Sequence, residues 1–316
     1  MVARNYGFDL SQGLTPNAYF YYLGTFSIPL FFMMNGYFLL NKPQLDYGYV
    51  GKKIISMLVI VSFWTLLYWL VKWGGGSEVH NPLRNMLAAL VQRGYFFQFW
   101  FFGSLMIIYV MLPPLHRWFQ SYRLLLSSSL GFLLIGTLIQ ALNVVLPSSL
   151  VPLQGQVIQT FRLWTWLAYY LLGGLLGRSE FLQAIGGWVK SFAGLVGLGL
   201  LVLPVILFTI CREVFHLPYA EYFYDSLLIK ILVVPIFIIF MRLELPDRYR
   251  PIITLTSSLT TGIFILHVHL INLLSRFWDL TQFPNSLLAI PVVFLVSGLL
   301  SFLIAHLPFC KRLITF

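Results

Sequence analysis

The sequence predicts an all-α fold, a polytopic membrane bundle of about nine transmembrane helices, and three observations carry that prediction. Of 316 residues, 59% are hydrophobic and only 9% charged, with a mean hydropathy of +0.84. A soluble domain would hold charged residues at about a quarter of the total. Apolar runs of about 20 residues, the length that crosses a hydrocarbon layer about 30 Å thick, recur from end to end. Lipid offers no partner to backbone N–H and C=O groups, so such runs fold as helices rather than as open sheets. The whole chain, residues 1–316, is expected to be one membrane-embedded domain with no soluble domain appended.

Charged residues mark the ends of the runs. Phe20 to Leu40 is closed by Lys42, and Ile54 to Trp73 lies between the Lys52-Lys53 pair and the loop Trp73-Gly74-Gly75-Gly76-Ser77, expected to be flexible and external. Phe96 to Leu115 sits between Arg93 and Arg117, Leu124 to Leu146 follows Arg123, and Leu163 to Leu176 lies between Arg162 and Arg178. Phe192 to Ile210 is bounded by Lys190 and Arg212, and Ser226 to Met241 ends at Arg242. Leu255 to Leu274 runs between Arg250 and Arg276, and Leu287 to Ala305 precedes Lys311 and Arg312. Gly173 and Gly177 form a small-xxx-small pair that favours close helix packing.

Orientation follows from summing Lys and Arg over alternate loops, since the excess lies on the cytoplasmic side. Lys42, Lys52, Lys53, Arg117, Arg123, Arg178, Lys190, Arg242, Arg248, Arg250, Lys311 and Arg312 fall in one set, 12 of the 20. Arg4, Lys72, Arg84, Arg93, Arg162, Arg212, Lys230 and Arg276 form the other. The first set is expected to be cytoplasmic, with the C-terminus inside and Met1 outside. Met1 to Tyr19 has no apolar stretch to start export, so either a segment lies upstream of Met1 or the first helix translocates a short tail. The formal charge of +10 is confined to short loops, which points to the bilayer and its anionic headgroups rather than to nucleic acid. Cys211 and Cys310 fall on opposite faces in this topology, so neither a disulfide nor a metal cluster is expected.

Signatures of soluble enzymes are absent: there is no Gly-x-Ser-x-Gly elbow, no His-Glu-x-x-His helix and no Gly-x-Gly-x-x-Gly turn. That leaves polar groups inside the apolar runs, which are costly in lipid and so mark function or close pairing. They are Asn35, Gln98, Gln140, Asn143, Lys230, His267, His269 and His306. A neutral imidazole at His267 can take a proton or bind substrate, or it can simply hydrogen-bond a neighbouring helix. His269, two residues on, is turned about 200° away. His80, His116 and His216 fall in loops or at helix ends and are expected to be solvated or interfacial. Asp225 and Lys230 are expected near the outer end of the seventh helix, close enough to pair, as a structural feature or the rim of an outward pocket. Lys52 and Lys53 serve as topology markers or as a binding mouth for phosphates.

Four segments resemble the acyltransferase-3 family of bacterial integral-membrane acyltransferases. They are Ile28-Pro29-Leu30-Phe31-Phe32-Met33-Met34-Asn35-Gly36-Tyr37, then Gln98-Phe99-Trp100-Phe101-Phe102 with Tyr109 and Pro113 downstream, then Tyr170-Leu171-Leu172-Gly173-Gly174-Leu175-Leu176-Gly177, and Thr261-Gly262-Ile263-Phe264-Ile265-Leu266-His267. The resemblance implies a ten-helix protein of the bacterial inner membrane. It would transfer an acyl group, usually acetyl, from acetyl-coenzyme A on the cytoplasmic side to a hydroxyl of an envelope glycan or lipid-linked sugar, with no permanently bound cofactor and no metal. On that reading His267 is the catalytic candidate in the cavity, Asn35, Tyr37, Gln98 and Trp100 line it, and Lys52 and Lys53 bind the donor phosphates. The family's first helix, bearing Arg or Lys and then the principal catalytic His, has no counterpart, Gln98 stands where a His is usual, and Asn35 replaces a Ser. The chain is therefore expected to be an N-terminally truncated enzyme or an inactive member, with a transporter or flippase of a lipid-linked sugar as the alternative class.

Overall fold

The computed structural model describes residues 10–145, 152–185, 189–308 and 310–315; Met1, Arg4 and Leu146 lie outside the described residues. The longer helices are α1 (Pro16–Leu23), α2 (Ser27–Leu40), α3 (Tyr47–Gly74), α4 (Pro82–Leu90), α5 (Trp100–Trp118), α6 (Tyr122–Val145), α7 (Leu163–Leu176), α8 (Val189–Ile210), α9 (Leu227–Arg242), α10 (Arg250–Leu274) and α11 (Asn285–His306). The remaining elements among the described residues are short helical turns, so the all-α expectation holds.

Among the described residues, seven helical stretches are long and apolar enough to cross a membrane: Pro16–Leu40, Tyr47–Gly74, Phe97–Trp118, Tyr122–Val145, Gly194–Phe215, Asp247–Leu274 and Asn285–His306. The other two expected spans form helices but fall short of that length, α7 with 14 residues and α9 with 16. At 1.5 Å per residue α7 is about 21 Å long, less than the hydrocarbon thickness. The first span differs from expectation in starting at Pro16, with Thr15 capping the Ala18 N–H, and in carrying a tight turn at Gly24–Phe26. The glycine loop differs too. Helix α3 continues through Gly74, and the chain turns at Gly76, whose φ of 72° suits a residue without a side chain.

The chain forms two compact units. The first comprises the described residues of Met1–Leu45, Met111–Val157 and Arg162–Leu243. Its centre is α7, twelve of whose 14 residues are buried, packed between α2 and α6. Glycines let α2 and α7 cross backbone to backbone: a Cβ on Gly36 would overlap the Tyr170 carbonyl, and one on Gly173 would overlap that of Met33. Gly177 leaves room for the Asn41 amide, which donates to Gly174 O at 3.0 Å and Tyr37 O at 2.8 Å. The small-residue pattern therefore serves packing.

Gly36→Val should be strongly destabilising, by about 3 kcal/mol or more, because no rotamer moves a Cβ away from a backbone carbonyl. Gly131→Ala, with open space around it, should be neutral or slightly stabilising. Thermal melts of the two purified variants in one detergent provide the comparison.

The second unit comprises the described residues of Asp46–Val110, Ile158–Phe161 and Glu244–Phe316. Within it α10 packs on α11 through small residues, with Gly262 against the buried Ser301. Ser301 Oγ closes a 2.7 Å bond to Ser297 O, keeping its hydroxyl satisfied inside the pair. The opposite stripe of α11, Leu288, Leu295, Leu299 and Leu303, is exposed, as expected of a face that meets lipid tails. Trp64 Nε1 donates to Leu313 O at 2.7 Å and ties the C-terminal turn to α3.

Candidate functional site

His267 is the eighteenth of the 25 residues of α10, nearer its middle than its C-terminal end. Its Nδ1 lies 2.7 Å from Phe264 O and 3.3 Å from Ile263 O. Carbonyl oxygens only accept, so Nδ1 carries the proton, and Nε2 of the neutral ring is the lone-pair nitrogen. That is the tautomer a general base or nucleophile needs.

Gln98 meets the same stretch of helix. It lies in the tight turn Phe97–Phe99 ahead of α5, is 6% exposed, and donates from Nε2 to Ile265 O at 3.3 Å. Its Oε1 is buried without a partner. Trp100, also buried, opens α5, and the neighbouring Phe101 and Phe102 rings pack edge-on against Phe264 at 5.9 and 5.7 Å. Gln98 and the His267 segment are thus brought together.

His269 faces a different environment, as its spacing implied. Its ring lies 4.7 Å from Tyr68 and 4.4 Å from Phe96, with Nε2 buried and unpartnered. Lys52 and Lys53 occupy the second turn of α3, Lys52 exposed and Lys53 half-buried. Tyr68 is on the same helix 16 residues later, about 24 Å along the axis, so the lysines and the histidine cluster sit near opposite ends of α3.

In the first unit, Asn35 Nδ2 donates to Phe31 O one turn back at 2.9 Å, and the Tyr37 ring lies 5.8 Å from Phe237. His116 departs from expectation: it is buried, with Nε2 2.8 Å from Lys42 O and 3.1 Å from Gln120 Nε2. It ties α5 to the backbone just beyond the end of α2.

The same unit holds a buried polar cluster that single-residue reading saw only in part. Asp225, 1% exposed, accepts from Thr165 Oγ1 at 2.8 Å, Trp164 Nε1 at 3.2 Å and Gln154 Nε2 at 3.4 Å. Gln154 also bonds Gln140 and Asn143, and Asn143 Oδ1 accepts from Leu153 N. Lys230, 5% exposed, donates to Leu133 O at 2.8 Å and Thr137 Oγ1 at 2.9 Å. No direct ion pair joins Asp225 and Lys230; both groups flank Gly136, where a Cβ would lie 2.6 Å from Asp225 Oδ1 and 3.1 Å from Lys230 Nζ. Every charged atom has donors or acceptors around it, which is the condition for burying charge at tolerable cost.

A family model described as an acyltransferase domain matches residues 2–306. The chain belongs to the acyltransferase-3 family. This assigns general membrane acyltransferase chemistry to a multi-pass helical protein, and it agrees with the four sequence segments, among them the one ending at His267. Neither the curated proteins nor the solved structures gave a match. The family motifs divide by role in the structure: Gly36 and Gly173 pack α2 on α7, while Gln98 and His267 bring polar groups to α10. Thr165, Trp164 and Gln154 went unnoticed in sequence, because loop and helix-start residues carry no signal of the buried charge they surround, and Gly136 is an ordinary glycine in the middle of α6.

Proposed function

We propose that this acyltransferase moves an acetyl group from acetyl-coenzyme A to a hydroxyl of an envelope glycan or lipid-linked sugar, in a bacterial inner membrane with the C-terminus cytoplasmic. The observation that carries the reading is the His267 tautomer. With Nδ1–H held by the carbonyl of Phe264, Nε2 is available to take the proton of the acceptor hydroxyl. The hydroxyl oxygen then forms a bond to the thioester carbonyl carbon, the carbon–sulfur bond breaks, and the imidazolium returns the proton to the leaving thiolate. The products are the O-acetyl ester and free coenzyme A.

Lys52 and Lys53 supply positive charge for the donor's phosphates, at the end of α3 away from the histidine cluster. Gln98 and Trp100, in the same unit as His267, are proposed to line the acceptor cavity. Equilibrium binding of labelled acetyl-coenzyme A to the purified protein tests the donor assignment. Saturable binding is expected, weakened about tenfold or more in Lys52→Gln/Lys53→Gln. Absence of binding by folded wild-type protein would overturn the assignment and favour a flippase, which has no reason to recognise a thioester donor.

A further inference from the structure

Within the second unit, α4 and the turn that follows it enclose an open cavity of about 690 Å³, a size typical of small-molecule sites. Its lining is divided by chemistry. His80, Arg84 and Arg93 supply polar groups, Met106 and Ile107 supply part of an apolar floor, and no Asp or Glu takes part.

The cavity is held by specific bonds rather than by loose loops. Asn81 caps α4, accepting from Leu83 N at 2.8 Å, and Trp69 Nε1 donates to His80 O at 2.7 Å. Thr160 Oγ1 donates to Leu90 O at 2.7 Å, and Gly103 lies so close to the same carbonyl that a Cβ would overlap it. Gln92 adopts a left-handed φ of 62°, and its side chain accepts from Gln159 N at 3.1 Å. Arg93 N then bonds Ala88 O at 2.8 Å, which returns Arg93 to the helix that carries Arg84. Two arginines lining one cavity with no Asp or Glu among its residues suit an anion, and guanidinium matches phosphate oxygens in geometry.

The depth of the site adds the second half of the ligand. Leu83 and Leu87 of α4 are exposed beside Arg84, the pattern of a helix lying in a bilayer interface. The floor belongs to α5, where Ile107 is seven residues, about 10 Å, beyond Trp100. The cavity thus passes from arginines at its rim to apolar side chains below.

We propose that this cavity binds the anionic phosphate headgroup of a lipid, with Arg84 and Arg93 on the phosphate and the apolar floor against the start of the hydrocarbon chain. This goes beyond acyl transfer and stands whether or not acetyl-coenzyme A is the donor. Two lipid sources share the chemistry, an anionic bilayer phospholipid and a polyprenyl phosphate of the kind that carries sugars.

Native mass spectrometry of the full chain in detergent tests the site with phosphatidylglycerol, undecaprenyl phosphate and phosphatidylcholine, whose phosphate is neutralised by its own choline. At least one anionic probe should be retained about tenfold more than phosphatidylcholine. Preference for undecaprenyl phosphate identifies the sugar carrier, and preference for phosphatidylglycerol identifies the bilayer. Arg84→Gln/Arg93→Gln should abolish the preference, and so should Met106→Trp, which fills the floor and leaves both arginines in place. Wild-type protein that does not distinguish the anionic probes from phosphatidylcholine overturns the proposal, as does a preference surviving in the folded variants. Should the double arginine variant fail to fold, Met106→Trp decides alone.

Discussion

Lys230→Met should cost the fold about 3–5 kcal/mol, the range for breaking a buried charge arrangement by removing one member. It would appear as a much lower melting temperature in detergent and a smaller yield of monodisperse protein. Lys230 donates to Leu133 O and Thr137 Oγ1 beside Gly136, and Asp225 lies on the same glycine. Without the ammonium, the 1% exposed carboxylate keeps its neutral donors but loses the nearby positive charge. Arg162 remains in the neighbourhood, yet its guanidinium is committed to Val157 O and Glu221 O. Asp225→Asn/Lys230→Met removes both charges and should recover much of the loss, which separates a charge effect from lost packing. If Lys230→Met melts with the wild type, the two groups are not electrostatically coupled.

The contrast between this cluster and α4 explains what was legible in the sequence. Gln140, Asn143 and Lys230 stood out because each interrupts an apolar run, where a polar group needs a reason. Their partners did not stand out. Gln154 lies in a short turn, Thr165 and Trp164 are in the first turn of α7, and nothing in their spacing shows that the fold closes them around Asp225. Gly136 reads as one more glycine in a helix until its missing side chain proves to be the space the two charges share.

The helix-length signal worked for the long spans because apolarity over about 20 residues admits few other folds in lipid. The same window passed over α4, which has only nine residues and presents Leu83, Leu87 and Leu90 at helical spacing behind an Asn81-Pro82 start. An amphipathic reading over a shorter window would have found it. Where α7 and α9 fall short of a full crossing, the turns Gln159–Phe161 and Ala220–Tyr222 precede them. Hydropathy measures how apolar a stretch is, and it carries no record of where the backbone turns.

His267→Gln should reduce acyl transfer by about 10²-fold or more, the usual scale for loss of a general base, while the melting temperature stays close to that of the wild type. Glutamine can still donate a hydrogen bond back to a helix carbonyl, as Nδ1 does to Phe264 O, but its amide cannot accept and return a proton near neutral pH. The substitution therefore keeps the structural bond and removes the chemistry. His269→Gln is the matched control, two residues away on the same helix. Its ring packs between Tyr68 and Phe96, so that variant should lose stability through packing and activity by less than tenfold. Equal loss of turnover in both variants would indicate general damage to α10 and remove the case for a base at this position. Intact turnover in His267→Gln with a lowered folded yield would assign the histidine to helix packing. Activity per folded molecule, measured for the two variants side by side, distinguishes these outcomes, because only a base at Nε2 predicts a large loss confined to His267.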